Sequence, residues 1–143
     1  PSRYRDAMRY LAIDFGGKRT GLASGDDVTG IVTPLDVVTA AKPDHRLQQI
    51  QRLLDREEPD AIVIGLPLNM DGTEGRAAAA ARDFGETLRQ RSGVHVLYHD
   101  ERLTSHAADE AMARSGLTHG GKKARRDAVA AAVILRDFLA REG

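Results

Sequence analysis

The sequence contains no cysteine and no tryptophan, and only 4% of its 143 residues are aromatic. Without cysteine the chain can form no disulfide bond, no thiolate zinc site and no thiol nucleophile, which fits a reducing cytoplasm. With so few aromatic rings, a platform on which nucleic-acid bases stack is not indicated.

Long apolar stretches are also absent. No segment approaches the ~20 consecutive apolar residues of a membrane-spanning helix, and no signal-peptide pattern opens the chain. Because the chain begins with Pro1 rather than Met, we expect a trimmed or processed form. Residues 1–9 are basic and irregular in pattern, and we expect them to lie outside the folded part. These features predict a cytoplasmic protein with no membrane partner.

The chain has no net charge, because 21 Lys and Arg residues balance 21 Asp and Glu residues. A nucleic-acid-binding protein usually carries a positive excess, so the global charge does not favour that function. Basic residues do cluster locally: Lys18 and Arg19 are adjacent, and a denser group is formed by Lys122, Lys123, Arg125 and Arg126. The denser group is either a phosphate-binding surface or the solvated start of a helix.

The length and the 41% of apolar residues predict a single domain, residues 1–143, with a substantial core. Five short apolar segments read as strands, over residues 10–15, 20–27, 30–38, 61–65 and 94–100. The first three follow one another directly and predict an antiparallel meander. The fourth is wholly apolar, which is typical of a strand covered on both faces in a parallel arrangement.

Helical periodicity predicts four helices, over about residues 43–58, 76–91, 104–112 and 123–141. The first has one apolar face, formed by Leu47, Ile50, Leu53 and Leu54, and Pro59 ends it. Thr104 is a plausible N-cap for the third. A meander followed by alternating strands and helices predicts an α/β fold, a mixed five-stranded sheet with helices on both faces.

Three acidic residues occur where apolar residues are expected. Asp14 lies inside the first strand, where a lone carboxylate is costly unless a partner or a cation neutralises it. Glu101 follows the last strand and is a better candidate ligand than Asp100, which reads as a strand-end turn residue. Asp127 heads an apolar stripe of the last helix, although an acid at a helix start also interacts favourably with the helix dipole.

The three carboxylates are predicted to converge at one end of the sheet. Clustered carboxylates are the natural ligands of hard cations such as Mg²⁺ or Mn²⁺. Two such ions ~3.5–4 Å apart can position a water and stabilise the leaving oxygen in phosphodiester cleavage, so one or two ions and no protein nucleophile are expected. The histidines show no metal-binding spacing. Three of them, His95, His99 and His119, are expected at the surface or at strand ends.

Four segments together resemble the bacterial YqgF/RuvX family: IDFGGKRTGLA, GLPLNMDGTEG, HDERLT and KKARRDAVAAAVIL. The resemblance runs from about Tyr10 to Leu139. The family is described as Holliday junction resolvases and as nucleases that mature the 5′ end of pre-16S ribosomal RNA. It implies a ribonuclease H-like fold, with Asp14, Glu101 and Asp127 as the three metal-binding acids.

The family usually has Gly-Thr-Lys where this chain has Gly16, Gly17 and Lys18, which removes a hydroxyl group from a possible phosphate site. Lys18, Arg19 and Arg102 remain candidate contacts for a scissile or flanking phosphate. Contacts of this kind set the affinity and its salt dependence.

The loop that contains Asn69, Asp71 and Thr73 is open to two interpretations. It either borders the site, or it forms a turn and an N-cap for the following helix.

Two other functions remain open at this stage. A Gly-rich hairpin after a strand aspartate also occurs in actin-like and sugar-kinase ATPases, but those proteins need two such domains and this chain supplies one. The chain could also be a non-catalytic nucleic-acid-binding or partner-docking module. A junction resolvase would require a homodimer, whereas a ribonuclease could act as a monomer; the neutral charge slightly favours RNA.

Overall fold

The computed structural model describes residues 7–39, 42–103 and 119–142, and their side chains except those of 103, 119–127 and 142. Its strands are β1 (Arg9–Phe15), β2 (Arg19–Asp26), β3 (Val32–Thr39), β4 (Ala61–Leu66) and β5 (His95–Asp100). Its helices are α1 (Pro43–Glu57), α2 (Arg76–Ser92) and α3 (His119–Glu142), with a short 3-10 helix over Glu101–Leu103. No helix in these ranges is long and apolar enough to cross a membrane.

The five strands form one mixed sheet in the order β3-β2-β1-β4-β5. Neighbours β1 and β2, and β2 and β3, are antiparallel, while β4 pairs in parallel with both β1 and β5. The predicted meander and the two added parallel strands are thereby confirmed. Because β1, β4 and β5 run in the same direction, their C-terminal ends lie along one side of the sheet, here called the carboxyl edge.

Helices cover both faces of the sheet, as the alternation of side chains along β1 requires. Leu11 and Ile13 point to the face that α1 and α2 cover, and both are fully buried there. Ala12 points to the other face, where it packs with Ala131 and Ile134 of α3. Because Ala12 on the sheet and Ala131 on the helix both have small side chains, α3 can approach the sheet closely.

Two predicted boundaries are wrong. Arg9 belongs to β1, because its N–H donates to Asp60 Oδ2 and its carbonyl accepts from the Asp60 N–H, both at 2.8 Å. The last helix begins at His119 rather than near residue 123. Glycines at positions 120 and 121 each cost about 1 kcal/mol in a helix, but extending an existing helix needs no new nucleation. The predicted helix over 104–112, with Thr104 as its N-cap, lies outside the described residues.

Candidate active site

Asp14 and Glu101 come together at the carboxyl edge, although β4 lies between the strands that carry them. Asp14 is the penultimate residue of β1 and is half-buried. Glu101 directly follows β5 and opens the 3-10 helix. The two carboxyl groups are joined by a hydrogen bond. The structure therefore brings two of the three predicted acids into direct contact.

Gly65 of β4 lies directly under this contact. A Cβ atom at Gly65 would lie 3.4 Å from the carboxyl carbon of Glu101, which is a van der Waals contact, and 2.5 Å from Cδ1 of Ile134, which is a clash. The glycine therefore allows Ile134 of α3 to approach β4 beside the Glu101 carboxyl group. The sequence signal was present but unused: a glycine inside an otherwise apolar, β-branched strand often marks a close approach.

The contact changes the protonation of the pair. Burial, together with the hydrogen bond and the negative charge of Asp14, raises the pKa of Glu101 to about 9. Two carboxyl groups in contact resist ionising together, because each negative charge disfavours the other. In the absence of a cation, Glu101 therefore keeps its proton at neutral pH.

The third predicted acid, Asp127, lies within α3, but its side chain is outside the described part of the structure. Ile134 of the same helix contacts the space over Gly65, whereas the ring of Phe138 lies 5.3 Å from that of Tyr10 at the beginning of β1. The start of α3 therefore points towards the carboxyl edge. Where side chains are described, no three His, Asp or Glu residues are grouped so as to hold a metal ion.

The basic cluster of the last helix lies in the same undescribed set of side chains: Lys122, Lys123, Arg125 and Arg126. Closer to Asp14, Lys18 is exposed in the hairpin between β1 and β2. Arg19 is half-buried as the first residue of β2, where it lies opposite Thr39 of β3.

Arg102 is paired within the chain. Its Nη2 donates to Asp100 Oδ2 at 2.7 Å, and its Nε donates to both carboxylate oxygens of Asp100. Its Nη1 donates to the carbonyl oxygen of Met70 at 3.2 Å. This pairing lowers the pKa of Asp100 and raises that of Arg102. Arg102 thus fastens the loop after β4 to the end of β5, and Asp100 turns to Arg102 rather than to Asp14.

The loop after β4 forms a tight turn. The Asn69 N–H donates to the Thr73 carbonyl at 2.8 Å, and the Thr73 hydroxyl donates to Asp71 Oδ1 at 2.6 Å. The predicted N-cap is wrong, because α2 begins after Gly75 with no side-chain hydrogen bond at its cap. Asp71 and Thr73 use their oxygens within the turn instead.

Arg46, which the sequence pattern did not single out, is a buried cation on α1 and is only 7% exposed. Its Nη1 donates to the Gly16 carbonyl at 2.9 Å, its Nη2 donates to the Gly17 carbonyl, and its guanidinium lies over the Phe15 ring. Burial lowers the pKa of Arg46. The residue stands one turn before Ile50 at the border of the apolar stripe, so periodicity alone did not reveal that it fixes the hairpin carrying Lys18.

His99 lies near the end of β5, in agreement with the strand-end position expected for it, but it is buried. It is only 8% exposed, with Nε2 at 2.6 Å from Asp137 Oδ2 of α3. The Arg141 Nε also donates to Asp137, at 2.8 Å. A neighbouring helix carboxylate thus allows the ring to be buried. His95 is exposed, as expected, and the side chain of His119 is not described.

The sequence is similar to proteins of one family. The model of the RuvX family, described as Holliday junction resolvase, matches residues 8–141. A protein of Anaeromyxobacter sp. (strain Fw109-5) named "Putative pre-16S rRNA nuclease" is 43% identical over 132 residues, 92% of this chain and 96% of that protein. One of the same name from Escherichia coli O139:H28 (strain E24377A / ETEC) is 42% identical over 131 residues, 90% of this chain and 94% of that protein.

Solved structures show the same fold at lower identity. T. thermophilus RuvC in complex with a Holliday junction substrate matches with a TM-score of 0.58 and 21% identity, over 95% of this chain and 96% of that one. The Fowlpox virus resolvase in complex with Holliday junction DNA matches with a TM-score of 0.60 and 12% identity, over 94% of this chain and 99% of that one. The predicted ribonuclease H-like fold is confirmed.

Proposed function

This chain belongs to the RuvX family of Holliday junction resolvases, and on that premise we propose that it is a metal-dependent nuclease acting through Asp14, Glu101 and Asp127. The observation that carries the proposal is the contact between Asp14 and Glu101 across Gly65. Two half-buried carboxyl groups from separate strands are held against each other at the edge of the sheet. This arrangement is unfavourable for the empty fold and suits a bound cation.

The donor chemistry fits a hard divalent cation. Carboxylate oxygens are the ligands that Mg²⁺ and Mn²⁺ prefer, and the proton that Glu101 retains is one that cation binding would release. Asp127 would add a third carboxylate from the start of α3. One or two ions, when bound, would activate a water and stabilise the leaving oxygen of a phosphodiester.

The basic residues bind and orient the substrate in this proposal. Lys18, in a hairpin fixed by Arg46, holds a phosphate next to the carboxylates, with Arg19 beside it. The basic cluster in α3 extends the phosphate contacts along the nucleic-acid strand. Its residues are Lys122, Lys123, Arg125 and Arg126. Arg102 acts differently from the sequence expectation, because its bonds to Asp100 and Met70 make it a support for the turn at 69–73. Asn69, Asp71 and Thr73 border the site as that turn.

We propose precursor ribosomal RNA, cleaved near the 5′ end of 16S, as the substrate. Relatives that carry this name are 42–43% identical over nine tenths of the chain. The second candidate is a four-way DNA junction, which the family description favours. That reaction would need a homodimer with two sites, whereas the RNA reaction needs one chain. In either case residues 1–143 act as one domain in the cytoplasm.

The test is a side-by-side cleavage assay with Mg²⁺ and with Mn²⁺, on an end-labelled pre-16S fragment and on a four-way DNA junction. Asp14→Asn is expected to lower cleavage by at least about a hundredfold, with secondary structure and nucleic-acid binding close to those of the parent protein. Asp55→Asn, which changes an exposed acid on α1, is the matched control. Cleavage retained by Asp14→Asn would contradict the assignment.

The same assay separates the alternatives. Binding of either nucleic acid without cleavage, in both metals, would identify a non-catalytic binding module. Hydrolysis of ATP without nuclease activity would identify a phosphate-hairpin ATPase.

A further inference from the structure

Met70 is the one large apolar side chain at the carboxyl edge that the described residues leave exposed. It lies in the loop between β4 and α2, and 94% of its surface is accessible. Among the side chains that the structure describes, the other exposed large apolar ones are Met8, Val28 and Ile31, which precede β1 or lie in the turn between β2 and β3. That turn is at the opposite end of the sheet, because β2 runs antiparallel to β1.

The exposure of Met70 belongs to a well-ordered turn and not to a frayed loop. The Gly72 N–H donates to the Asn69 carbonyl, and the Asn69 N–H donates to the Thr73 carbonyl, both at 2.8 Å. The Asn69 side-chain amide donates to the Thr73 hydroxyl at 3.0 Å. Gly72 has a φ of +87°, which favours glycine and closes the turn. The backbone on both sides of Met70 is thereby fixed.

The turn is also tied to the candidate acids. The Arg102 Nη1 donates to the carbonyl oxygen of Met70 at 3.2 Å, while the other side of the same guanidinium binds Asp100. Arg102 directly follows Glu101 in the chain. The backbone of Met70 is therefore held in a fixed relation to the strand end that presents Glu101.

Burying a methionine side chain contributes about 1.5–3 kcal/mol, and an unbranched thioether adapts to irregular surfaces. Several proteins that bend or open nucleic acids insert such a side chain between base steps. The aromatic ring of Phe15, at the same edge, is not available for this role, because it stacks on Phe84 and lies under the Arg46 guanidinium.

We propose that Met70 inserts against a nucleobase beside the scissile phosphate and separates it from its neighbour, so that the strand is held open over the carboxylates. The inference rests on the proposed nuclease function. An apolar contact with a base face carries no hydrogen-bond information, so it favours an unstacked step without selecting a base. It gives the turn at 69–73 a direct role in substrate binding, which neither Asn69 nor Asp71 supplies.

The test uses a pre-16S fragment that carries 2-aminopurine at positions around the 16S 5′ end and a four-way DNA junction that carries it at positions around the branch point. This base analogue becomes more fluorescent when it is unstacked. The full chain with Asp14→Asn is added in Mg²⁺, so that binding is read without cleavage. We expect a several-fold rise in fluorescence at one position, and Met70→Ser is expected to remove it while Met70→Leu retains it.

In the chain with Asp14 intact, Met70→Ser is expected to lower kcat/KM about tenfold, and Ile31→Ser at the opposite end of the sheet is the matched control. Because Met70 is almost fully exposed, its replacement should leave the unfolding temperature unchanged. No fluorescence rise with the Asp14→Asn protein, or an equal rise and an equal kcat/KM after Met70→Ser is introduced, would overturn the inference. Absence of cleavage by the parent protein would contradict the proposed function alone, since the fluorescence arm does not depend on cleavage.

Discussion

At the scale of single residues, the pairing of Asp14 with Glu101 makes the site unstable in the absence of a cation. Burial and the neighbouring charge raise the pKa of Glu101 from its usual 4.5 to about 9. The folded state then holds a proton that the unfolded state has already lost. The protonated Glu101 side chain therefore contributes its full stabilisation below the pKa that it has in the unfolded state. This contribution is lost as the pH rises through the pKa that it has in the folded state.

Glu101→Gln is accordingly expected to stabilise the metal-free protein at about pH 8. The gain should exceed about 1 kcal/mol, since one unit of pKa corresponds to ~1.4 kcal/mol, and it should vanish near pH 4, where the Glu101 carboxyl is protonated in both states. Urea unfolding at three pH values in a chelator measures it, with Asp55→Asn as the control. A difference in unfolding free energy between variant and parent that does not change with pH would contradict the assigned protonation of Glu101. The same variant should fail to cleave nucleic acid.

At the scale of secondary-structure elements, β4 separates β1 from β5, and its Gly65 lies under the contact between Asp14 and Glu101. Cδ1 of Ile134 in α3 occupies the space that a side chain at Gly65 would fill, and the Glu101 carboxyl group borders that space. On the other face, α1 uses Arg46 to fix the hairpin between β1 and β2. The elements that surround the proposed site are therefore held by contacts between side chains far apart in the sequence.

Gly65→Ala is expected to lower both stability and activity. The added methyl group would press on Cδ1 of Ile134, and overpacking of this kind costs about 1–3 kcal/mol. Combining it with Ile134→Val removes that Cδ1 atom and should recover most of the unfolding free energy. Cleavage should recover with the stability of the double variant, because the Cβ atom lies at van der Waals distance, 3.4 Å, from the Glu101 carboxyl carbon. Stability regained without kcat would contradict this expectation and show that Gly65 also positions Glu101.

At the scale of the whole molecule, the parallel arrangement of β1, β4 and β5 gathers the proposed site at the carboxyl edge. Residues 14, 65 and 101 meet there, and the hairpin at 16–18 and the turn at 69–73 flank them. A cation that bound this edge would join β1 to the end of β5 and the start of α3. Binding to the folded state alone would then stabilise the entire chain.

Saturating Mn²⁺ is expected to raise the unfolding temperature of the parent protein by about 5–10 °C at a hundred times its Kd. Asp14→Asn should show a much smaller shift, because it removes one of the proposed ligands, and Asp55→Asn should respond as the parent does. Thermal unfolding followed by circular dichroism, with and without the cation, gives the comparison. Equal shifts in all three proteins would indicate non-specific binding.

The sequence by itself determined the strand and helix pattern, the mixed sheet and the family. The period of apolar residues and the four motifs are local properties, and they predicted the strands to within one or two residues. Asp14 and Glu101 were also identifiable, because an acid against the burial pattern is visible without coordinates. Local propensity failed at the start of α3, where glycines favoured a loop.

Only the tertiary structure decided which side chains meet. Three features were not predicted: the close approach of Ile134 and Glu101 to Gly65, the burial of Arg46 and His99, and the pairing of Arg102 with Asp100 and the Met70 carbonyl. Periodicity states which face of an element is buried, but it does not state the register at which two elements pack. That register, set by pairing β4 between β1 and β5, brings the Glu101 carboxyl over a glycine and against Asp14.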